Sequence, residues 1–276
     1  MNGMQQTQER LFVVLRGSGP SEGVVGAIDF TEPFADRLRI LEKDSGWRPS
    51  DSDVEFSRIL VVPPFSRDNP ERREAAIGWM EAAPAGGQHA HLSVKSGEAF
   101  VLWQPERAVV AYGGGQLAEV LEAVVEFSFV ETLLSSLERE LSLGWPGVEQ
   151  DTPLAYKIEA TDLRRDEEIG LRAKAVLQLR MRHVRAEPLV ARAPARFGRL
   201  AAEVGDGLRE QARFEQRLEV LDGQIEVQEY VYELASQRLG EFRHAREGFI
   251  IEMIIVALLA AEVVLLLLDL WLANRQ

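Results

Sequence analysis

The residues whose types and spacing best suit a functional site are acids inside the most apolar stretch of the chain. This stretch, Gly248–Trp271, reads GFIIEMIIVALLAAEVVLLLLDLW and holds three acids, Glu252, Glu262 and Asp269. A charged residue near the middle of a membrane helix, as Glu262 is, costs a few kcal/mol. Glu262 and Asp269 are seven residues apart and share a helix face. The pattern indicates a polar seam that pairs protomers or lines a pathway, or else a Glu262 that is simply protonated.

The length of the apolar stretch favours a membrane helix. Its 24 residues span about 36 Å at helical rise, enough to cross a bilayer core of about 30 Å. Trp271 lies at one end, where an interfacial aromatic residue is expected. The flanking cationic residues are Arg243, His244 and Arg246 before the stretch and Arg275 after it. The positive-inside rule therefore predicts that the part of the chain before the stretch is cytoplasmic. The expected location is the inner membrane of a bacterium, which the chain crosses once. The competing interpretation is a buried core helix of a soluble bundle.

Two further patterns have the residue types of a binding site. His89 and His91 form an H-x-H pair, and on a strand both side chains point to one face, which suits a metal ion. No third ligand is suggested by spacing, so two surface histidines are the competing interpretation. Gly113–Gly115 lies between a predicted strand and a predicted helix, where backbone N–H groups can bind a phosphate. It lacks the Lys-Ser/Thr of a P-loop and the dinucleotide fingerprint, which favours a plain turn.

The rest of the sequence carries no recognisable reactive motif. It has no nucleophile elbow and no H-E-x-x-H pair. Cysteine is absent, which excludes disulfides, thiolate metal sites and a Cys nucleophile. A net charge of −13 argues against general binding to nucleic acid. We therefore predict that the protein is not an enzyme, has no catalytic residue, metal or cofactor, and binds no nucleic acid.

The first half of the chain mixes strands and helices, which predicts an α+β domain of about 140 residues. Short apolar runs that end at turn residues predict strands at Leu11–Leu15, Val24–Phe30 and Phe56–Val62, and a hairpin from Ala99–Trp103 and Ala108–Tyr112. Helices are predicted at Thr31–Lys43, Asn69–Met80 and Gln116–Leu143. The first of these rests on a Thr-Glu-Pro start and on the spacing of Phe34, Leu38 and Leu41.

The second half favours helix, with predicted helices at 161–186 and 196–246 and a break bracketed by Pro188 and Pro194. Apolar residues at alternating spacings of three and four, with one glutamine among them, form a heptad seam. The seam consists of Phe214, Leu218, Leu221, Ile225, Gln228, Tyr232, Ala235, Leu239 and Phe242. It predicts either a coiled coil between protomers or one helix packed on the chain's own helices.

These elements predict an α+β fold with a small mixed amino-terminal domain, a long-helix bundle or stalk and one carboxyl-terminal transmembrane helix. The predicted segments are an α+β cytoplasmic domain at 1–147, a helical, coiled-coil-like domain at 148–247 and a transmembrane anchor at 248–272.

The carboxyl-terminal third resembles the required-for-meiotic-nuclear-division (sporulation-related) family, a domain family of unknown function. The matching segments are Glu187-Pro188, Arg217–Leu221, Glu229–Leu234, Arg243-His244, Ile251–Val256 and Ala261–Val264. In that family a helical segment precedes a tail helix with two acids, and Glu252 and Glu262 occupy those positions at the same separation. The resemblance implies a membrane-anchored, oligomeric protein without known enzymatic activity, with mitochondrial members that support organellar translation.

The functional prediction is a tail-anchored, oligomeric scaffold or interaction protein without enzymatic activity. Its expected partners are the lipid bilayer, further copies of the chain and an unidentified protein. The alternatives are an oligomeric channel or transporter accessory that uses Glu262 and Asp269, or support of membrane-associated translation by family resemblance.

Overall fold

The computed structural model describes residues 9–17, 23–30, 34, 36–44, 54–65, 70–82 and 91–273, without the side chains of 267–273. The chain divides into two compact units. Unit 1 comprises Met1–Arg139 and Met181–Asp222, and unit 2 comprises Glu140–Arg180 and Gly223–Gln276. The predicted division into segments 1–147, 148–247 and 248–272 stays a prediction.

Unit 1 is built on one mixed sheet of seven strands. The strands are β1 (Arg10–Arg16), β2 (Val24–Phe30), β3 (Asp36–Lys43), β4 (Val54–Val62), β5 (Leu92–Ser96), β6 (Ala99–Gln104) and β7 (Arg107–Ala111). Their order in the sheet is β2-β3-β1-β4-β7-β6-β5. Neighbouring strands are antiparallel except β4 and β7, which run parallel. The connection between β4 and β7 includes helix α1 (Pro70–Glu81), as a parallel crossover requires.

The sheet packs against the start of a long helix, α2 (Leu117–Asp151). Phe129 of α2 stacks on Phe30 of β2 with ring centroids 3.7 Å apart. Phe127 meets the Trp103 ring of β6 edge-on at 4.9 Å, and the Trp103 indole N–H donates to Ser128 Oγ at 2.8 Å. The aromatic residues therefore fix α2 on the sheet while the indole nitrogen keeps a partner, as a buried tryptophan requires.

Helix α4 (Arg199–Gln211) covers the edge of the sheet at β5. The side-chain amide of Gln211 accepts from the Ser93 backbone N–H at 2.9 Å and donates to the Ser93 carbonyl at 2.5 Å. It thus takes the place of a neighbouring strand, which leaves the edge less open to pairing with another chain. Helix α4 approaches β5 closely because Gly207 lacks a side chain: a Cβ at this position would lie 2.8 Å from Val94 Cγ1.

The fold class is confirmed: a small mixed sheet domain precedes long helices and a long apolar carboxyl-terminal helix. The predicted helix at Thr31–Lys43 is wrong, because Asp36–Lys43 is strand β3, paired on both sides. Leu38 and Ile40 alternate with Arg37 and Arg39, which is the period of two of a strand. The side chains of Leu38 and Ile40 are buried in a strand that has a neighbour on each side. Strand β5 was not among the predicted strands.

The helices run further than the sequence predicts. Helix α2 continues through Gly144–Gly147 to Asp151, with Pro146 inside it. Helix α3 (Asp166–Ala191) contains Pro188, which therefore does not begin the break. The single helix predicted at 196–246 is wrong in one respect, because a turn divides it: Arg199–Gln211 is one helix, and the last helix, α5 (Phe214–Ala273), has 60 residues.

Unit 2 is organised around a buried carboxylate at the end of α2. Asp151 is fully buried and accepts hydrogen bonds from Arg165 and from Arg172 Nη1, the latter at 2.5 Å. On the facing part of α5, Gln228 donates from Nε2 to the Leu141 carbonyl at 3.2 Å. These bonds satisfy buried polar groups that are costly when left unpaired.

Two glycines inside helices provide a test of the edge packing. Gly223 of α5 has open space around it, so Gly223→Ala is expected to stabilise the protein by about 0.4–1 kcal/mol. Gly207→Ala introduces a contact with Val94 and is expected to lose that gain or to destabilise. Denaturant unfolding of the full-length protein in detergent compares the two variants. Equal gains contradict the close packing of α4 on β5.

Candidate functional site

The carboxyl-terminal part of α5 presents apolar side chains on every side. All residues from 243 to 266 are exposed, among them Phe249 at 62% and Leu258 at 66%. The most apolar window of 18 residues has a mean hydropathy of 2.7, and none of it is buried. The protein thus has one carboxyl-terminal helix long and apolar enough to cross a membrane. A buried helix in the core of this chain, the competing interpretation, is contradicted by this exposure.

The acids predicted to form a polar seam, Glu252, Glu262 and Asp269, lie along the carboxyl-terminal part of α5. Glu252 and Glu262 are both exposed. Ten residues of helix place them about 15 Å apart along the axis and about 80° apart around it. Asp269 and Trp271 lie in the helical backbone of α5, and their side chains lie outside the part of the chain that the structure describes. The shared face of Glu262 and Asp269 therefore follows from the helical backbone alone.

The heptad seam is buried within the single chain. In unit 1, Phe214 stacks on Phe127 of α2 with centroids 5.2 Å apart. The fully or nearly buried seam residues are Phe214, Leu221, Ile225, Gln228, Tyr232, Ala235 and Leu239, and the half-buried ones are Leu218 and Phe242. These side chains are occupied by intramolecular packing, so the seam offers no free apolar stripe along most of its length. Its predicted role between protomers stays a prediction.

A buried ion pair joins three helices of unit 1. Glu126 of α2 is 1% exposed, and both of its carboxylate oxygens accept from Nη2 of Arg209 in α4, at 2.7 and 2.5 Å. The same nitrogen donates to the Leu189 carbonyl of α3 at 3.5 Å. Burial raises the pKa of Glu126 above that of an ordinary glutamate, and Arg209 opposes this shift. Gly205 leaves space for the guanidinium, since a Cβ at this position would lie 3.1 Å from Arg209 Nη1.

A groove in unit 1 borders this ion pair. It has a volume of about 1050 Å³ and is lined by the end of α3, by α4 and by the first turns of α5. Two of its lining side chains are buried and incompletely bonded: Nε and Nη1 of Arg209 and both ring nitrogens of His183 have no hydrogen-bond partner. The Asp222 carboxylate lies 3.8 Å from Nδ1 of His183, beyond hydrogen-bond distance. The groove therefore contains unused donors.

Glu126, His183 and Arg209 are not among the site residues that the sequence predicts. The one available signal was Glu126 itself, an acid within the apolar segment AVVEFSFV of a predicted helix. An acid at such a position is expected to have a buried partner. Nothing in the local sequence of His183 or Arg209 points to a groove, because the groove is assembled from three separate helices.

The other predicted candidates do not form a site in the described residues. His89 lies outside them, and His91 is exposed. A Cβ on Gly114 would lie 2.2 Å from the Tyr112 hydroxyl, and one on Gly113 would lie 3.2 Å from the Pro64 ring, so both glycines are closely packed. Neither the groove nor a second cavity of about 510 Å³ is lined by these residues. Within the described ranges, no three His, Asp or Glu residues are grouped to hold a metal ion.

Comparisons with known proteins add little to this geometry. No protein-family model matches the chain. No curated protein matches it. A solved structure described as the structure of the full-length CmaX protein is similar to it at 14% identity and a TM-score of 0.35. The match covers 92% of this chain and 84% of that chain. The resemblance to the sporulation-related family stays a prediction.

The buried ion pair yields a stability prediction. Arg209→Met leaves the Glu126 carboxylate buried without a partner and is expected to lower the free energy of unfolding by about 3–5 kcal/mol. Adding Glu126→Leu is expected to recover most of that loss, because both charges are then gone. The control Arg199→Met removes a 93%-exposed arginine that pairs with Glu203 at 2.8 Å, and its effect is expected to stay within about 1 kcal/mol. Denaturant unfolding measures all three, and equal losses for Arg209→Met and Arg199→Met contradict the role of the pair.

Proposed function

We propose that the chain is a carboxyl-terminally membrane-anchored, oligomeric scaffold or interaction protein without enzymatic activity. The observation that carries this proposal is the exposure of α5 between residues 243 and 266, where none of the most apolar window is buried. Soluble proteins rarely expose contiguous apolar patches larger than a few hundred Å². A lipid bilayer covers such a helix on all sides, whereas a protein groove covers one face.

The orientation follows from the charges at the start of the segment. Arg243, His244 and Arg246 precede it, and Arg243 is ion-paired with Asp166 of α3 in the same unit. His244 is 84% exposed and Arg246 is exposed. The positive-inside rule then places the folded units in the cytoplasm, which in a bacterium makes the inner membrane the host.

The oligomeric part of the proposal rests on Glu262. It lies in the apolar helix, and the 27 residues from Gly248 to Asn274 contain no Lys or Arg that could neutralise it. Polar residues in membrane helices usually face a protein interior or a water-filled cavity. A second copy of α5 supplies such a surface, with Asp269 one heptad further along the same face.

The anchor is tested by flotation with liposomes. The full-length protein is expected to rise with the vesicles through a density gradient and to resist extraction by carbonate at high pH. A variant with Ile255→Arg and Leu259→Arg is expected to insert much less, because each central arginine costs about 2.5–3.5 kcal/mol.

The control for this experiment is Ile255→Leu and Leu259→Ile, which changes the same positions and keeps them apolar. A chain ending at residue 247 removes no buried side chain from the described part of α5, and it is expected to remain soluble without detergent. Recovery of the full-length protein and this shortened chain alike in the vesicle-free fraction contradicts the anchor.

A second candidate function, a small channel or transporter accessory, is favoured by the same acid. If Glu262 and Asp269 of several copies surround a pathway, Glu262→Leu is expected to abolish ion flux into liposomes and to keep the oligomer. If the acid only pairs protomers, Glu262→Leu is expected to lower the oligomer mass in detergent, measured by light scattering during size-exclusion chromatography.

Val263→Leu is the control on the neighbouring face. An unchanged mass together with no flux in any variant contradicts both roles of Glu262.

A further inference from the structure

The groove of unit 1 has buried polar groups that indicate what kind of partner this protein binds. Its base contains two polar side chains that are nine-tenths buried or more, His183 at 3% exposure and Arg209 at 5%. Nε and Nη1 of Arg209 carry three N–H donors, and both ring nitrogens of His183 are unbonded. Because buried donors in folded proteins normally have partners, these atoms indicate that an acceptor-bearing ligand completes the site.

The charge of the groove limits what that ligand can be. Among its described lining residues, three are arginines and six are acids. The acids are Glu187, Asp206, Glu210, Glu215, Glu219 and Asp222. The positive charge of Arg209 is neutralised by the ion pair with Glu126. Arg209 therefore does not neutralise the excess of negative charge at the rim of the groove. A free phosphate or carboxylate is therefore repelled, although Arg209 alone attracts one.

A simple cation does not fit either. No group of three metal-ligating side chains occurs in the described residues, which includes the groove. A polyamine pairs with the acids but has no acceptor oxygen for the N–H groups of Arg209, which then stay unbonded. The ligand must combine neutral acceptor oxygens with positive charge.

We infer that the groove binds a basic segment of a partner protein, a peptide rich in Lys or Arg. Backbone carbonyl oxygens of the segment accept hydrogen bonds from Arg209 Nε and Nη1 and from a ring N–H of His183. Its cationic side chains lie against the acidic rim, and their apolar stems pack on Phe214 and Leu218, which also line the groove. This inference rests on the proposed scaffold role and names the chemistry of what the scaffold binds.

Binding is tested with the full-length protein in a nonionic detergent. The probe is a fluorescein-labelled peptide of ten residues that alternates Lys and Ala, with blocked ends, followed by fluorescence anisotropy. Saturable binding that weakens as salt is raised is expected. The same peptide with Glu for Lys is expected not to bind, and spermine is expected to compete at least about tenfold more weakly than unlabelled probe, since it lacks carbonyl groups. Equal competition by spermine overturns the peptide assignment.

Matched variants locate the binding. Glu215→Gln with Glu219→Gln removes two exposed acids of the rim and is expected to raise the Kd about three- to tenfold. Glu226→Gln with Glu233→Gln removes two exposed acids of the same helix outside the groove and is expected to leave the Kd unchanged. His183→Leu is expected to raise the Kd about tenfold or more, whereas His183→Gln, which keeps a donor and an acceptor, changes it less.

The thermal midpoint of each variant checks that the helices remain folded. The inference is overturned if the Lys peptide does not bind, if both double variants weaken binding equally, or if His183→Leu and His183→Gln behave alike. Flotation of the same protein with liposomes separates these outcomes from a failure of the proposed function: absent peptide binding by a protein that floats rejects the groove assignment alone.

Discussion

The structure depends on one constraint: helix α5 is longer than the surface that the rest of the chain can cover. At 60 residues it extends about 90 Å at the usual rise. Up to Phe242 its heptad positions are buried or half-buried, and from residue 243 to 266 every position is exposed. Burying an apolar side chain of the Leu or Ile kind is worth about 1.5–3 kcal/mol, so the exposed segment forgoes a large gain in water. Helix α5 therefore has two parts: a first part packed on the chain's own residues, and an exposed apolar part that is long enough to cross a membrane.

The parts of the fold that the sequence predicts well are those set by local pattern. The hairpin of β6 and β7 follows from two apolar runs around Pro105-Glu106, and α1 follows from Asn69-Pro70 at its start. The residues of strand β3 wrongly predict a helix, because Phe34, Leu38 and Leu41 have helical spacing. Its position between β1 and β2 decides the matter, and pairing with distant strands is not encoded in the local pattern.

The candidate sites divide in the same way. The acids of the apolar segment stand out in the sequence because Glu252, Glu262 and Asp269 contrast with everything around them. The groove of unit 1 has no such contrast, because its charged residues lie on helix faces that look solvated when taken singly. Only the packing of α3, α4 and α5 removes His183 and Arg209 from water and leaves their nitrogens unbonded. A heptad pattern is equally ambiguous, since the same spacing describes packing within one chain or between two.

Glu126 and Glu262, two of the acids in apolar segments, have different surroundings, and the difference bears on function. Glu126 has a cation brought to it by a separate helix, so its charge is matched within unit 1. Glu262 has no cationic residue in sequence between Gly248 and Asn274, and its side chain is exposed on a helix that buries nothing there. In a bilayer that leaves three ways to lower its free energy: to accept a proton, to meet a polar group on another copy, or to face water. The first needs no partner, but the other two need further protein around α5, and Asp269 extends the same face by two turns. The proposed pairing of protomers therefore depends on the face of α5 that Glu262 and Asp269 share.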